Sequence, residues 1–348
     1  MDTLDNASST PGCSRASNTT SPVRNIPYFL SESAIALFSI MGNLFICAVF
    51  LRNRKLRAII TNYFLVSLAV ADILVGAVAI PCAQFTDMGL PRYRPQLCLL
   101  MLCSLLVLTQ ASVFGLLAIA VERYISILKP FQYKSWMSPR NSLLVILACW
   151  ALAVLIGLFP MMGWHNPLPA NGQCLFNSII EDTYMVYFNF MTCMLVPLSI
   201  MMVLYGRIFL EVRRQIRKVA QGEVDISAQQ RRRIVVRKEM QTATSLFIIL
   251  FCFTICWLPV HILNTVMLLC PTCYIPSQLI MTAIILSHAN SAINPVIYVF
   301  RVRSFRKAFE KALSSVWYSK AVGVFSTSGM IPSTVSEMPL RNISLPGT

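Results

Sequence analysis

A short set of strongly polar side chains interrupts the apolar stretches of this chain. Glu32, Asn43, Asp72, Ser112, Asn189, His261, Asn264, Ser287, His288, Asn290 and Asn294 each fall inside a long apolar run. At membrane depth such groups are costly, so each needs a partner or a task. Asp72, Asn43, Asn290, Asn294 and Ser112 come from four of the runs and lie near the middle or toward the cytoplasmic end. A lone carboxylate there must be protonated or bind a cation, and oxygen ligands around it suit a small hard ion such as sodium. A structural hydrogen-bond network without an ion is the equal alternative. Glu32, His261, Asn264, Ser287 and His288 lie nearer the opposite ends of their runs. His261 and Asn264 are three residues apart and share a helix face. Polar groups converging at one mouth of a bundle make a ligand pocket, although inter-helix glue uses the same residue types. No nucleophile–base pair or metal cluster has catalytic spacing, so no enzyme is expected.

These side chains must be carried by membrane helices. Apolar residues make up 56% of the chain and charged ones 12%, against about 25% charged in soluble domains. Mean hydropathy is +0.65. A helix needs about 20 apolar residues to cross the hydrocarbon layer, and seven runs qualify, at roughly 28–51, 59–84, 97–122, 141–162, 184–210, 243–269 and 277–300. They lack the period-two alternation of barrel strands. The expected fold is an all-α bundle of seven transmembrane helices.

Charge sets the orientation. Of the 29 basic residues, all but Arg15, Arg24, Arg92 and Arg94 fall on one side, which is therefore cytoplasmic. This segregation also accounts for the net charge of +15 without nucleic acid, because no stretch interleaves basic and aromatic residues over a groove. Four segments follow: a polar extracellular tail over 1–27, the bundle over 28–302, an amphipathic helix over 303–315 and a disordered cytoplasmic tail over 316–348. In the third, Phe305, Phe309 and Leu313 share a face among basic residues, which fits a helix lying on anionic membrane lipids. The tail begins without a basic segment or an early apolar run, so no cleavable signal peptide is expected. It carries glycosylation sequons at Asn6 and Asn18.

A further set of landmarks follows the seven runs in order: Gly42-Asn43, Leu68-Ala-Val-Ala-Asp72, Glu122-Arg123-Tyr124, Trp150, Pro197 with Tyr205, Cys256-Trp-Leu-Pro259, and Asn294-Pro-Val-Ile-Tyr298. Together they resemble the rhodopsin-like G-protein-coupled receptors over nearly the whole chain. The resemblance implies that Arg123 engages the G protein and is held at rest by Glu122 and Glu239. It implies that Trp257 is a toggle beneath the ligand, that Pro259 kinks its helix, and that Tyr205, Asn294, Pro295 and Tyr298 take part in activation. It also favours sodium at Asp72, Ser112 and Asn290, and implies a disulfide between Cys98 and Cys174. Cys270 and Cys273 could form a second, local bridge. Arrestin and receptor kinases are implied partners.

Two ligand classes are excluded by resemblance. Leu105 stands where amine receptors carry an Asp, and His288 stands where opsins carry the retinal Lys. The closer resemblance is to the adenosine receptors, through Cys174-Leu-Phe176, Tyr184-Met-Val-Tyr-Phe-Asn189, Trp257-Leu-Pro-Val-His261-Ile-Leu-Asn264 and Ser287-His288-Ala-Asn290. It implies that Phe176 stacks on a purine and that Asn264 hydrogen-bonds the adenine edge, since an amide offers both donor and acceptor. His288, Ser287 and Thr109 would bind the ribose, with Glu32 orienting His288. Met185, Asn189, His261, Ile284, Leu106, Gln110 and Trp257 would line the pocket. Asn177 departs from the family, where a Glu usually follows the stacking Phe. The expected function is an adenosine receptor that raises cyclic AMP through the stimulatory G protein. Another neutral ligand (a different nucleoside, a lipid or a melatonin-like molecule) and the inhibitory G protein are the alternatives. A transporter would need paired broken helices or inverted repeats, and none is evident.

Overall fold

The computed structural model describes residues 25–221 and 226–301, and beyond them 305–307, 309–311 and 314. The sequons at Asn6 and Asn18 lie outside the described residues, as do Leu313 and the tail from 315 onward. Seven helices are long and apolar enough to cross a membrane. They are α1 (Ile26–Arg52), α2 (Thr61–Asp87), α3 (Pro95–Leu128), α4 (Pro139–Gly157), α5 (Tyr184–Leu195 continuing as Val196–Gln221), α6 (Ile226–Leu269) and α7 (Ser277–Arg301).

The helix starts follow local chemistry. Asn25 accepts the Tyr28 N–H ahead of α1, and Ser138 accepts the Asn141 N–H ahead of α4. Both α3 and α4 begin on a proline, whose missing N–H costs nothing in the first turn. α1 starts at Ile26, within the segment expected to be tail, and α3 runs six residues past the expected 122 to Leu128. α4 stops at Gly157 rather than near 162, because Pro160 turns the chain into a short 3-10 segment, Phe159–Met162. The cytoplasmic extensions of α5 and α6 agree with the lack of Pro between them.

Two helices are locally widened to π geometry, over Val75–Ala79 in α2 and Tyr184–Leu195 in α5. Each widening ends just before an Xaa-Pro step, at Pro81 and Pro197. A proline ring collides with the carbonyl four residues back and supplies no N–H to it. A π turn relaxes that conflict within the helix.

The burial pattern is the reverse of a soluble protein's. Glu32, Asn43 and Asp72 are fully buried, whereas Phe38, Leu144 and Phe300 are largely exposed. Only lipid makes such an exterior favourable. α3 runs through the centre against α2, α4 and α5, while α1 packs on α2 and α7 and α6 lies between α5 and α7. One apolar core fills the cytoplasmic half of the bundle. A smaller one, built on Leu102, Leu106, Tyr184 and Met185, fills the outer half. Beyond α7, Phe305 is buried against Tyr298, and Phe309 meets Phe45 of α1 edge-on at 5.8 Å. The described part of the amphipathic segment therefore tucks its aromatic face under α1 and α7.

Candidate functional site

The outer end of the bundle gathers most of the expected ligand residues. His288 Nδ1 and Glu32 Oε2 lie 2.6 Å apart, both buried, so α1 and α7 are joined by one short, charge-assisted contact. Glu32 Oε1 has no hydrogen-bond partner among the described residues. One face of α6 presents His261 and Asn264, which are 2% and 8% exposed. The Asn264 amide makes no hydrogen bond to another described residue. Nor do the two buried ring nitrogens of His261, whose ring instead stacks on Phe190 with centroids 4.6 Å apart and planes 7° from parallel. Trp257 lies one turn below His261 with ring centroids 6.0 Å apart, and its buried indole N–H is also unpartnered among the described residues.

From α3 and α5, Gln110 Nε2 donates to Asn189 Oδ1 at 2.5 Å, and Asn189 Nδ2 contacts Met185 Sδ at 3.8 Å. Phe176 begins a one-turn helix, Phe176–Ile179, and packs against the outer apolar core that holds Leu106 and Met185. Thr109 donates its hydroxyl proton to the Leu105 carbonyl at 2.9 Å, and Ser287 donates to the Ile284 carbonyl at 2.7 Å. Both hydroxyls spend their protons on their own helix and so face any ligand as acceptors. Ile284 is half-buried beside Ser287.

Deeper in the bundle, Asn294 Nδ2 donates to Asp72 Oδ2 at 2.8 Å. Ser39 donates to the Asp72 carbonyl, and Asn43 bridges the carbonyls of Ser39 and Ser291. Asp72 Oδ1, Asn290 Oδ1 and Asn294 Oδ1 are buried oxygens with no partner among the described residues. Such a donor set, one carboxylate with neutral oxygens, fits a sodium ion. Ser112 donates to the Leu108 carbonyl at 3.2 Å and keeps its oxygen lone pairs free to accept.

At the cytoplasmic end Arg123 makes two bonds of 2.6 Å to the fully buried Glu122 carboxylate. Thr61 of α2 accepts from Arg123 and donates to Glu122. Tyr133 of the second cytoplasmic loop donates to Glu122 Oε1 at 2.7 Å. Burial and the adjacent Glu122 carboxylate raise the Tyr133 phenol well above its ordinary range, so it remains a donor at physiological pH. Tyr205 and Tyr298 are buried at the same end, and the Tyr298 hydroxyl lacks a partner among the described residues. Pro259 and Pro295 lie inside continuous helices. The side chain of Glu239 lies outside those described, so its expected pairing with Arg123 has no counterpart here.

Thr61, Tyr133, Ser39 and Phe190 complete these clusters and were not singled out from sequence. Thr61 opens a helix and resembles an ordinary cap. Tyr133 occupies a loop, and Phe190 sits among other apolar residues. Only the position of Thr61 at the same membrane depth as Glu122 offered a signal. The structure pairs Cys98 with Cys174, and Cys270 with Cys273, with Cα atoms 5.8 and 5.4 Å apart.

Residues 42–298 match the family described as "7 transmembrane receptor (rhodopsin family)". The chain is 43% identical to an adenosine receptor A2a of Equus caballus over 307 residues, 84% of this chain and 73% of the relative. It is 43% identical to the protein of that name in Homo sapiens over 302 residues, 83% of this chain and 72% of the relative. The corresponding protein of Canis lupus familiaris is 42% identical over 302 residues, again 83% of this chain and 72% of the relative. A family match across the bundle and identities of this size over most of both chains have one reading: the chain belongs to the rhodopsin family of seven-transmembrane receptors and, within it, to the adenosine-receptor group.

Proposed function

We propose that the chain is a plasma-membrane receptor, with its N-terminus outside, that binds extracellular adenosine and activates the stimulatory G protein to raise cyclic AMP. The observation that carries the ligand is the Asn264 amide, largely enclosed yet without a hydrogen bond to another described residue, on the α6 face that also holds His261. An unpaired buried amide is costly, and a ligand offering a donor and an acceptor side by side removes that cost. The adenine edge offers this pair. Phe176 supplies the stacking surface, and Leu106, Met185 and Ile284 the apolar lining. The Glu32–His288 pair, with Ser287 and Thr109 as acceptors, binds the ribose hydroxyls. Gln110, Asn189 and Trp257 close the pocket floor. The names of the 42–43% identical relatives support the same ligand.

Agonist binding shifts a two-state equilibrium by favouring one state. Glu122, Arg123, Tyr205, Glu239, Pro259, Asn294, Pro295 and Tyr298 form the switch, and Arg123 meets the G protein when Glu122 releases it. Asp72, Ser112 and Asn290 hold a sodium ion, which would neutralise the buried carboxylate. Arrestin and receptor kinases act on the cytoplasmic face.

The test expresses the chain in cells lacking adenosine receptors and records cyclic AMP in both directions as adenosine is added. A rise supports the reading, a fall redirects it to the inhibitory G protein, and no change overturns the ligand. Asn264→Ala should abolish agonist binding while leaving surface expression intact. An unimpaired response in that variant would break the pocket assignment.

A further inference from the structure

The segment that carries Phe176 is held at more points than its disulfide. On the far side of Phe176, His165 pairs with Ile180, and Asn166 N–H donates to the Ile179 carbonyl at 2.8 Å. On the near side lies Cys174, bonded to Cys98 at the top of α3. One covalent tether fixes a position and leaves the segment free to pivot about it. Two backbone bonds to the first outer loop remove that freedom: Cys174 N–H to the Gly89 carbonyl at 3.2 Å, and Tyr93 N–H to the Gly172 carbonyl at 3.0 Å.

This second contact is unusual in two respects. Tyr93 has φ +55°, the only positive φ at a non-glycine among the described residues. That region is disfavoured for a bulky side chain and persists where the surroundings over-determine it. Gly172, at φ +69°, lies so close beneath the Tyr93 ring that a Cβ there would stand 2.5 Å from two ring carbons. Tyr93 is 68% exposed, so apolar burial does not account for a strained tyrosine at this point. What the arrangement does is seat the second outer loop on the first in a single register, four residues before Phe176.

We propose that Tyr93 and Gly172 are positioning residues for the ligand, a clamp between the two outer loops that holds Phe176 over the pocket mouth. The proposal rests on the adenosine reading for its ligand but not for its geometry. Gly172→Ala places a methyl group in the ring and at a backbone angle that favours glycine, so the register shifts and Phe176 moves with it. Tyr93→Gly keeps the backbone bond and removes the obstructing ring, and therefore rescues part of the damage.

Two measurements on the full chain test this. Equilibrium binding and dissociation of a radiolabelled, deaminase-resistant adenosine analogue are recorded on cells, normalised to surface expression. Gly172→Ala should weaken binding roughly tenfold, chiefly through faster dissociation, with Tyr93→Gly/Gly172→Ala recovering at least half of the loss on a logarithmic scale. On a Phe176→Ala background, Gly172→Ala should change affinity less than about twofold, because the residue it acts through is gone. Amide hydrogen exchange across 174–180 of the purified, ligand-free protein should quicken in Gly172→Ala and slow again in the double variant. Unchanged exchange, no rescue, or a full Gly172→Ala effect without Phe176 each overturns the clamp. Failure of the unmutated chain to bind the analogue, with exchange behaving as described, overturns the adenosine reading and leaves the clamp standing.

Discussion

The carboxylate of Glu122 accepts hydrogen bonds from Arg123, Thr61 and Tyr133, whereas the amide of Asn264, which is 8% exposed, has no hydrogen bond to another described residue. A fully satisfied buried charge fixes one arrangement of its neighbours. An unsatisfied one leaves a demand that only something from outside can meet. Removing a donor from Glu122 should therefore loosen Arg123. Tyr133→Phe deletes one bond to a charged group at a half-buried site, worth about 1 kcal/mol, or roughly fivefold in the balance of resting and active states. Basal cyclic AMP, measured with endogenous adenosine destroyed enzymatically, should rise accordingly, and a fall would contradict the resting role of the Arg123–Glu122 pair. At this scale the sequence was informative about cost but not about pairing. Asp72, Glu32 and Asn264 stood out because each interrupts an apolar run. Thr61 and Tyr133 did not, since a helix-start Thr and a loop Tyr have ordinary local explanations. His261 was legible as polar, but nothing in its neighbours showed that it would stack on Phe190.

The length of the apolar runs made all seven spans readable, because length in a membrane is set by the bilayer itself, but it did not fix the ends of α3 and α4, or how far α5 and α6 continue beyond the hydrocarbon layer. Their internal irregularities were less legible. The π segments of α2 and α5 depend on how a proline's lost donor is redistributed over a whole turn, and the residues inside those turns carry no pattern that marks the widening. Close approaches between helices are similarly silent. A Cβ at Gly76 would lie 2.7 Å from the Ala36 carbonyl oxygen and 2.9 Å from Ile40, so α2 reaches α1 only because this position has no side chain. Gly76→Val should separate the helices at a cost of about 1–3 kcal/mol. Thermal denaturation of the solubilised protein should show a lower midpoint, with less receptor at the cell surface. An unchanged midpoint would mean that α1 shifts freely, contrary to its packing on both α2 and α7.

For the whole molecule, basic residues crowd the sequence segments on one side of the spans and both disulfides lie on the other, the asymmetry expected of a chain set between two aqueous compartments of different potential and redox state. The two disulfides should not matter equally. Cys98 and Cys174 are 76 residues apart and join α3 to the loop bearing Phe176, whereas Cys270 and Cys273 are three apart within one loop. Closing the longer loop constrains far more of the unfolded chain. Cys174→Ser should therefore abolish agonist binding, and the Cys270→Ser/Cys273→Ser pair should change it by less than about threefold. Equal losses from the two would place the outer loops on a common footing that the structure does not suggest.

The length of α6 has a mechanical consequence. It continues unbroken from Ile226 to Leu269, with Pro259 ten residues from its outer end. At 1.5 Å per residue the portion on the cytoplasmic side of that proline measures about 50 Å, well over the thickness of the hydrocarbon layer. Such a rod is a lever with a short inner arm: tilting it by only about 10° about Pro259 carries its far tip some ~9 Å sideways. With Pro259 as the pivot of the proposed switch, ångström-scale adjustments around a small molecule would become, at the opposite face, a displacement on the scale of a whole helix diameter.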